Sequence, residues 1–234
     1  MTDDPINPHN NPNIDVMQIR TFLTAISVFM MGIIDSYAVI VHGMLVSAQT
    51  GNLVTISREL VSRDLAGISR HITVFFAFCV GSFFGKLAQE ILRKSWHRFR
   101  YYILFQTSLL LVLAIFQTSM NQTVLVQLLA MLSGYGMALF RNFRETRANN
   151  GIMTGNTKAM MSNLFVGFYK KDKGALIEAF NLFLVIIIFV SGVCVGSVLV
   201  IINPILSLWV SFALMLLSMI WLTYLNKKAN KSLK

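Results

Sequence analysis

Residues 32–52, GIIDSYAVIVHGMLVSAQTGN, place one carboxylate inside an apolar run and end on a Thr-Gly-Asn triplet. The apolar run extends upstream and occupies roughly residues 21–43. This is long enough for a helix to cross a bilayer core of about 30 Å. Five more apolar windows follow, at roughly 72–92, 101–120, 123–141, 176–202 and 205–225. The sequence therefore predicts an all-α fold, a polytopic membrane helical bundle of about six transmembrane helices.

The composition argues against a soluble fold. Of the 234 residues, 55% are hydrophobic and only 13% are charged, and the mean hydropathy is +0.64. A soluble domain carries about 25% charged residues, because its surface must be hydrated. The 20 Lys and Arg against 10 Asp and Glu give a net charge of +10, which in an apolar chain is typical of cytoplasmic loops facing anionic lipid. We therefore expect membrane lipids as partners, with anionic lipid at the cytoplasmic face, and no nucleic acid.

The basic residues also predict the orientation of the spans. If both termini are cytoplasmic, seventeen of the twenty Lys and Arg lie on the cytoplasmic side. The three that remain outside are Arg58, Arg63 and Arg70, all in the first loop. On this interpretation residues 1–18 form a flexible polar cytoplasmic tail without the cleavage site of a signal peptide. Residues 227–234 form a basic cytoplasmic tail.

Part of the sequence recurs. The triplet at 50–52 recurs at 154–156, an offset of 104 residues, and Gly136 lies at the same offset from Gly32. A Gly-x-x-x-Gly pattern, which permits close packing of helices, follows in each half. Its glycines are Gly81, Gly85, Gly192 and Gly196.

We therefore predict two repeats of three spans, residues 19–120 and 121–226. Because three is odd, the second repeat would be inverted relative to the first. Inverted repeats are a recurrent transporter architecture, with the solute site near the membrane midplane.

The two triplets are candidate site residues: Thr50, Gly51 and Asn52, and Thr154, Gly155 and Asn156. A Thr or Asn side chain can cap the first free N–H groups of a helix, and Gly permits a tight turn before it. The segments that follow, 53–65 and 157–169, are too short to span, so each is an interfacial helix or a re-entrant half-helix. In the functional interpretation their positive ends face a bound solute, and in the structural one the triplets are ordinary helix caps.

Asp35 is the most informative single residue, because a carboxylate inside a span costs at least about 2.5–3.5 kcal/mol. It belongs either to an ion- or proton-coupled site or to a buried structural contact. His42 lies two helical turns further along, on nearly the same face. The two side chains are therefore predicted to line one path.

Other polar groups have simpler interpretations. Arg141, Arg144 and Arg147 favour anchoring on anionic lipid, with an inner-mouth site for an anionic solute as the alternative. Cys79 and Cys194 lie in apolar runs without metal-ligand spacing. Because no catalytic motif is present, we expect no enzyme activity, no catalytic residues, no metal and no cofactor.

Two longer segments resemble signatures of the YoaK-like family of bacterial integral membrane proteins of unknown function. They are GIIDSYAVIVHGMLVSAQTGNLVTI at 32–56 and GYGMALFRNF…GIMTGN within 134–156. The resemblance implies an inner (plasma) membrane protein of about six spans and supplies no substrate. Where the family commonly has a Gln-Asn pair, this chain has Ala138 and Leu139.

These features favour a transporter or channel for a small solute or ion, with a midplane site around Asp35 and the two triplets, and with homo-oligomerisation possible. The first alternative is a membrane scaffold that binds partners or lipid without transporting. The second is an intramembrane enzyme built on Ser36 and His42.

Overall fold

The computed structural model describes residues 16–93, 95 and 97–232, with side chains up to residue 225. In this part the chain forms eight α-helices and a small hairpin. The helices are α1 Val16–His42, α2 Gln49–Ser62, α3 Leu65–Ile91, α4 Arg98–Phe116, α5 Gln122–Leu139, α6 Met153–Tyr169, α7 Lys173–Ile202 and α8 Ile205–Ser232. All but α2 and α6 are long and apolar enough to cross a membrane. The predicted all-α bundle with six spans is confirmed.

Several helices begin before the apolar windows that predict them, because a polar residue upstream caps each one. The carboxylate of Asp64 accepts a hydrogen bond of 3.0 Å from the Gly67 N–H at the start of α3. Asp172 does the same for the Gly174 N–H, at 2.8 Å, before α7. Such caps satisfy N–H groups that have no partner within the helix.

The two predicted tails are partly helical. The predicted tail at 1–18 ends earlier than expected, because α1 already begins at Val16. Residues 1–15 lie outside the described part of the chain. The backbone of the predicted tail at 227–234 continues α8 as far as Ser232.

The long helices pair across the chain. Helix α1 packs mainly against α7, α3 packs against α5, and α4 packs against α8. The short helix α2 lies on α3, and α6 lies on α7.

Glycines bring the paired backbones into contact. A Cβ added to Gly85 in α3 would lie 2.8 Å from the Tyr135 carbonyl oxygen in α5. A Cβ on Gly196 in α7 would lie 2.7 Å from the Cα of Ile33 in α1. Since no side chain fits in such gaps, the assignment of the Gly-x-x-x-Gly patterns to helix packing is confirmed.

A hairpin after α5 is the exception to the helical fold. Its strands are β1 Asn142–Phe143 and β2 Thr146–Arg147, paired antiparallel. Arg144 in the turn donates from its backbone N–H to Thr21 Oγ1 and from its guanidinium to Asn181 Oδ1, both at 2.9 Å. The hairpin therefore ties α1 to α7, and the side chain of Arg144 serves an internal contact.

Candidate functional site

Helices α2 and α6 both begin at the Thr-Gly-Asn triplets, but not in the way the sequence predicts. Each helix starts one residue before its triplet, and the cap residues Ala48 and Ile152 make no side-chain cap hydrogen bond. The prediction that Thr or Asn caps these helices is therefore wrong. The triplets form part of the first helical turn.

The asparagines fasten the preceding loops to these helices. Asn52 Nδ2 donates to the Leu45 carbonyl at 2.7 Å, and Asn156 Nδ2 donates to the Asn149 carbonyl at 2.7 Å. Both bonds reach seven residues back along the chain. Both asparagines are buried, with 2% and 1% of their surface exposed. The repeated triplet thus makes the same contact in both halves of the chain.

The glycines of the triplets serve the same loops. A Cβ on Gly51 would lie 3.1 Å from Leu45 Cδ1, and one on Gly155 would lie 3.2 Å from Asn149 Nδ2. Neither glycine has a positive φ, whereas Gly43 does, at 70°. An added Cβ would meet only side-chain atoms at these two positions, so the loop packs closely there without excluding a methyl group, and the predicted tight turn is not observed.

Asp35 holds the loop that leads into α2. Its carboxylate accepts hydrogen bonds from the Val46 N–H at 3.2 Å, the Ser47 N–H at 3.0 Å and the Ser47 hydroxyl. Only 4% of the residue is exposed. Among the described residues no Lys, Arg or His forms an ion pair with it. Hydrogen bonds from neutral donors therefore stabilise this carboxylate.

The loop between α1 and α2 folds back along α1. His42 ends α1, yet Ser47 reaches back to Asp35, seven residues before that end, which is about 10 Å along a helix. The loop before α6 also folds back, since Asn150 Nδ2 donates to Ser27 Oγ in α1 at 3.0 Å. The two loops meet where the Ser47 hydroxyl donates to the Gly151 carbonyl at 3.1 Å. Helices α2 and α6 therefore begin next to each other, close to Asp35.

A cavity of about 590 Å³ lies at this meeting point. Asp35, Thr50 and Thr154 all line it, so three of the predicted site residues are brought together. The remaining lining is mostly apolar and comes from α1, α3, α7 and the two loops. It consists of Ser36, Val39, Ile40, Leu45, Ser47, Ala48, Gln49, Phe78, Gly151, Ile152, Met153, Phe189, Val193 and Ser197.

The other predicted site residues lie outside this lining. Gly51, Asn52, Gly155 and Asn156 hold the loops behind it. The ring of His42 packs edge-on against Tyr37, with 5.4 Å between ring centroids, and does not line the cavity. The predicted path shared by Asp35 and His42 is therefore not observed.

Sequence reasoning missed Ser47 and Gly151, which connect the two loops. Their positions relative to the two triplets could have identified them. Each lies three residues before the threonine of its triplet, and they are 104 residues apart, the offset of the triplets themselves.

The electrostatics of the cavity come from one side chain and two helix ends. Asp35 is the only ionisable residue in the lining. The starts of α2 and α6 add partial positive charge, because the first N–H groups of a helix lack partners within it. The site thus combines a hydrogen-bonded carboxylate, two helix N-termini and apolar walls.

This arrangement defines a helical, membrane-type bundle with two short helices that begin next to each other. The family model described as protein of unknown function, DUF1275, matches residues 23–221, and the chain belongs to this family. Comparison with curated proteins and with solved structures finds no match. Ala138 and Leu139, where the chain departs from the YoaK-like pattern, do not line the Asp35 cavity.

Proposed function

We propose that the protein is a transporter or channel for a small solute or ion, and that the solute binds in the cavity between the starts of α2 and α6. The observation that carries the proposal is that Asp35, Thr50 and Thr154 line one cavity. A scaffold has no need for two short helices that start at a common cavity. The resemblance of residues 32–56 to YoaK-like proteins supports a bacterial inner-membrane location, and the distribution of Lys and Arg supports cytoplasmic termini.

The helix pairing supports an inverted repeat. The first long helix of each half packs against the second long helix of the other half, α1 on α7 and α5 on α3. The third helices of the two halves, α4 and α8, pack on each other. This exchange is the contact pattern of two halves related by a two-fold axis. In transporters with that symmetry the solute binds at the repeat interface.

A face of α1 with polar and flexible side chains continues from the cavity. Thr24, Ser27, Met31 and Asp35 lie within a quarter turn of one another on the helix surface, since successive residues are 100° apart. Met31 is fully buried beside Gly136, where an added Cβ would lie 3.6 Å from Met31 Cε. Nearby, Gln106 is fully buried, and neither of its amide atoms has a hydrogen-bond partner in the described part of the chain. Rotation of the flexible Met31 side chain would open this polar face.

The alternative function is a non-transporting scaffold, and one observation favours it. The carboxylate of Asp35 already accepts three hydrogen bonds from its own loop, as a purely structural group would. In a scaffold the cavity could be filled without consequence. In a transporter, filling it would stop flux.

A substitution in α7 separates the two functions. Val193 lines the cavity, whereas Val190, on the same helix, is 48% exposed on the outer surface. Each is replaced by Trp, and uptake of a panel of radiolabelled ions and small solutes is measured in proteoliposomes. We expect Val193→Trp to abolish the uptake that the unaltered protein shows over empty liposomes, and Val190→Trp to retain it. Equal uptake by both variants would contradict the proposal.

A further inference from the structure

A second cavity, of about 320 Å³, lies at the other end of α1. It is open to solvent, is bordered by the start of α1, the end of α3, the start of α4 and the segment after α5, and shares no lining residue with the Asp35 cavity. Its lining includes five basic residues and one acidic residue, Glu90. The basic residues are Arg20, Lys86, Arg93, Arg98 and Arg141.

The single carboxylate does not balance these charges. Glu90 Oε1 accepts a hydrogen bond of 2.8 Å from Lys86 Nζ, so it is already paired. The side chains of Arg20, Arg93 and Arg141 form no hydrogen bond or ion pair with the described residues. Like charges that converge on one space repel each other, and the repulsion grows when they leave bulk water.

The charge of Arg141 is disfavoured in this position. Burial lowers the pKa of its guanidinium, and the nearby charge of Arg147, which does not line the cavity, lowers that pKa further. An anion in the cavity would oppose both effects.

Hydrogen bonds hold two of the segments that border the cavity. Arg98 donates to the Arg93 carbonyl at 3.0 Å, which fixes the connection between α3 and α4. Gln89 Nε2 donates to the Ala138 carbonyl at 2.9 Å, which holds α3 against the end of α5. The basic groups are thus presented from four segments whose positions are set by other contacts.

We propose that this cavity binds a phosphate-type oxyanion, either free phosphate or the phosphate of an anionic lipid headgroup. Guanidinium groups donate paired N–H groups that match the spacing of phosphate oxygens. The ends of spanning helices lie at the depth of the headgroups, so both sources reach the cavity. The site is separate from the proposed transport site, and binding is measured without any solute gradient.

Binding is tested with the double variant Arg93→Gln/Arg141→Gln and the control Arg58→Gln/Arg70→Gln. The control removes the same charge from exposed positions in α2 and α3 that do not line the cavity. The purified protein is titrated with inorganic phosphate at constant ionic strength, with the melting temperature as the readout. Native mass spectrometry measures retention of phosphatidylglycerol against phosphatidylcholine.

We expect the unaltered protein and the control to bind, and the cavity variant to lose at least about tenfold in affinity, since two charged hydrogen-bond donors are removed. Binding of inorganic phosphate identifies a site for a free anion. Selective retention of phosphatidylglycerol without phosphate binding identifies a headgroup site. Absence of both, or an equal loss in the two double variants, overturns the proposal.

Folding of each variant is checked by its melting temperature without ligand. If the double variant unfolds, Arg20→Gln alone replaces it, because Arg20 is exposed at the rim. It should weaken binding in the same direction, and unchanged binding in that variant also overturns the proposal.

Discussion

The hydroxyl of Ser47 donates a hydrogen bond of 3.1 Å to the carbonyl oxygen of Gly151, 104 residues further along the chain. The Asp35 carboxylate is a second acceptor within reach of this hydroxyl, so the two oxygens share its single hydrogen. Ser47 therefore lies between the carboxylate in α1 and the loop before α6. Since 104 is also the offset of the two triplets, the contact joins equivalent positions of the proposed repeats.

Removal of this hydroxyl should destabilise the protein. Ser47→Ala leaves buried acceptors on Asp35 and Gly151 without a donor, a loss of about 1–3 kcal/mol in the free energy of unfolding. Ser57→Ala is the matched control, because the Ser57 hydroxyl bonds only to the Leu53 carbonyl on an exposed face of α2. Its effect should stay within about 0.5 kcal/mol. Unfolding in detergent measures both, and equal effects would contradict the connecting role of Ser47.

The asparagines of the two triplets should behave alike. Asn52→Ala and Asn156→Ala each remove a buried hydrogen bond of 2.7 Å to the preceding loop. We expect each to lower the free energy of unfolding by about 1–3 kcal/mol. Asn163→Ala, which removes an exposed bond from α6 to Glu178, should have a much smaller effect. A large loss for one triplet and none for the other would contradict their equivalence.

The close packing of the paired helices should make alanine at their contact glycines destabilising. Gly85→Ala and Gly196→Ala force a methyl group to within 3 Å of a neighbouring helix backbone, and overpacking costs about 1–3 kcal/mol. Gly174→Ala is the control, because an added Cβ there meets only the Asp172 side chain, 3.2 Å away. The melting temperatures of the three variants give the comparison. A Gly174 variant that melts as low as the other two would contradict the packing account.

Asp35→Asn tests whether the carboxylate couples transport to an ion. An amide oxygen still accepts from the Val46 and Ser47 N–H groups, so the variant should fold and insert. We expect it to lose the dependence of flux on a proton or ion gradient. Thr50→Ala and Thr154→Ala should weaken flux more mildly, because each removes only a lining hydroxyl. A folded Asp35→Asn protein whose flux keeps its full pH dependence would exclude coupling through this residue.

The orientation is tested by labelling in a Cys79→Ala/Cys194→Ala background, since both native cysteines are exposed on the helix surfaces. Cysteines at Asn121 and Asn203 should react with an impermeant reagent added outside intact cells. A cysteine at Lys231 should react only after the membrane is opened. The reverse labelling pattern would invert the predicted topology.

Much of the fold could be predicted from the sequence, because the length and apolarity of a span are local properties. The helix ends could not, since Asp64 and Asp172 start helices in polar segments upstream of the apolar windows. The recurrence of Thr-Gly-Asn predicted that both triplets belong to one kind of site. Their chemistry was harder to predict, because the partners of Asn52 and Asn156 are backbone carbonyls seven residues away.

The candidate site also contains some residues that the sequence predicts and others that it does not. Asp35 was predictable as a carboxylate in an apolar run. The shared path of Asp35 and His42 is not observed, because helical spacing does not reveal that the loop residues Val46 and Ser47 fold back onto the carboxylate. Gly151 contributes a carbonyl oxygen, a group that every residue carries, so its residue type alone gives no signal.

If solute passes through the cavity between α2 and α6, a bulky group attached covalently inside that cavity should stop transport. Thr154→Cys is made in the background that lacks Cys79 and Cys194, with Asn203→Cys, in the turn between α7 and α8, as the control. Solute flux in proteoliposomes is measured before and after reaction with a bulky water-soluble thiol reagent. Modification is expected to abolish flux through the Thr154→Cys protein and to leave flux through the Asn203→Cys protein unchanged. Full modification of the cysteine at 154 with undiminished flux would contradict this expectation.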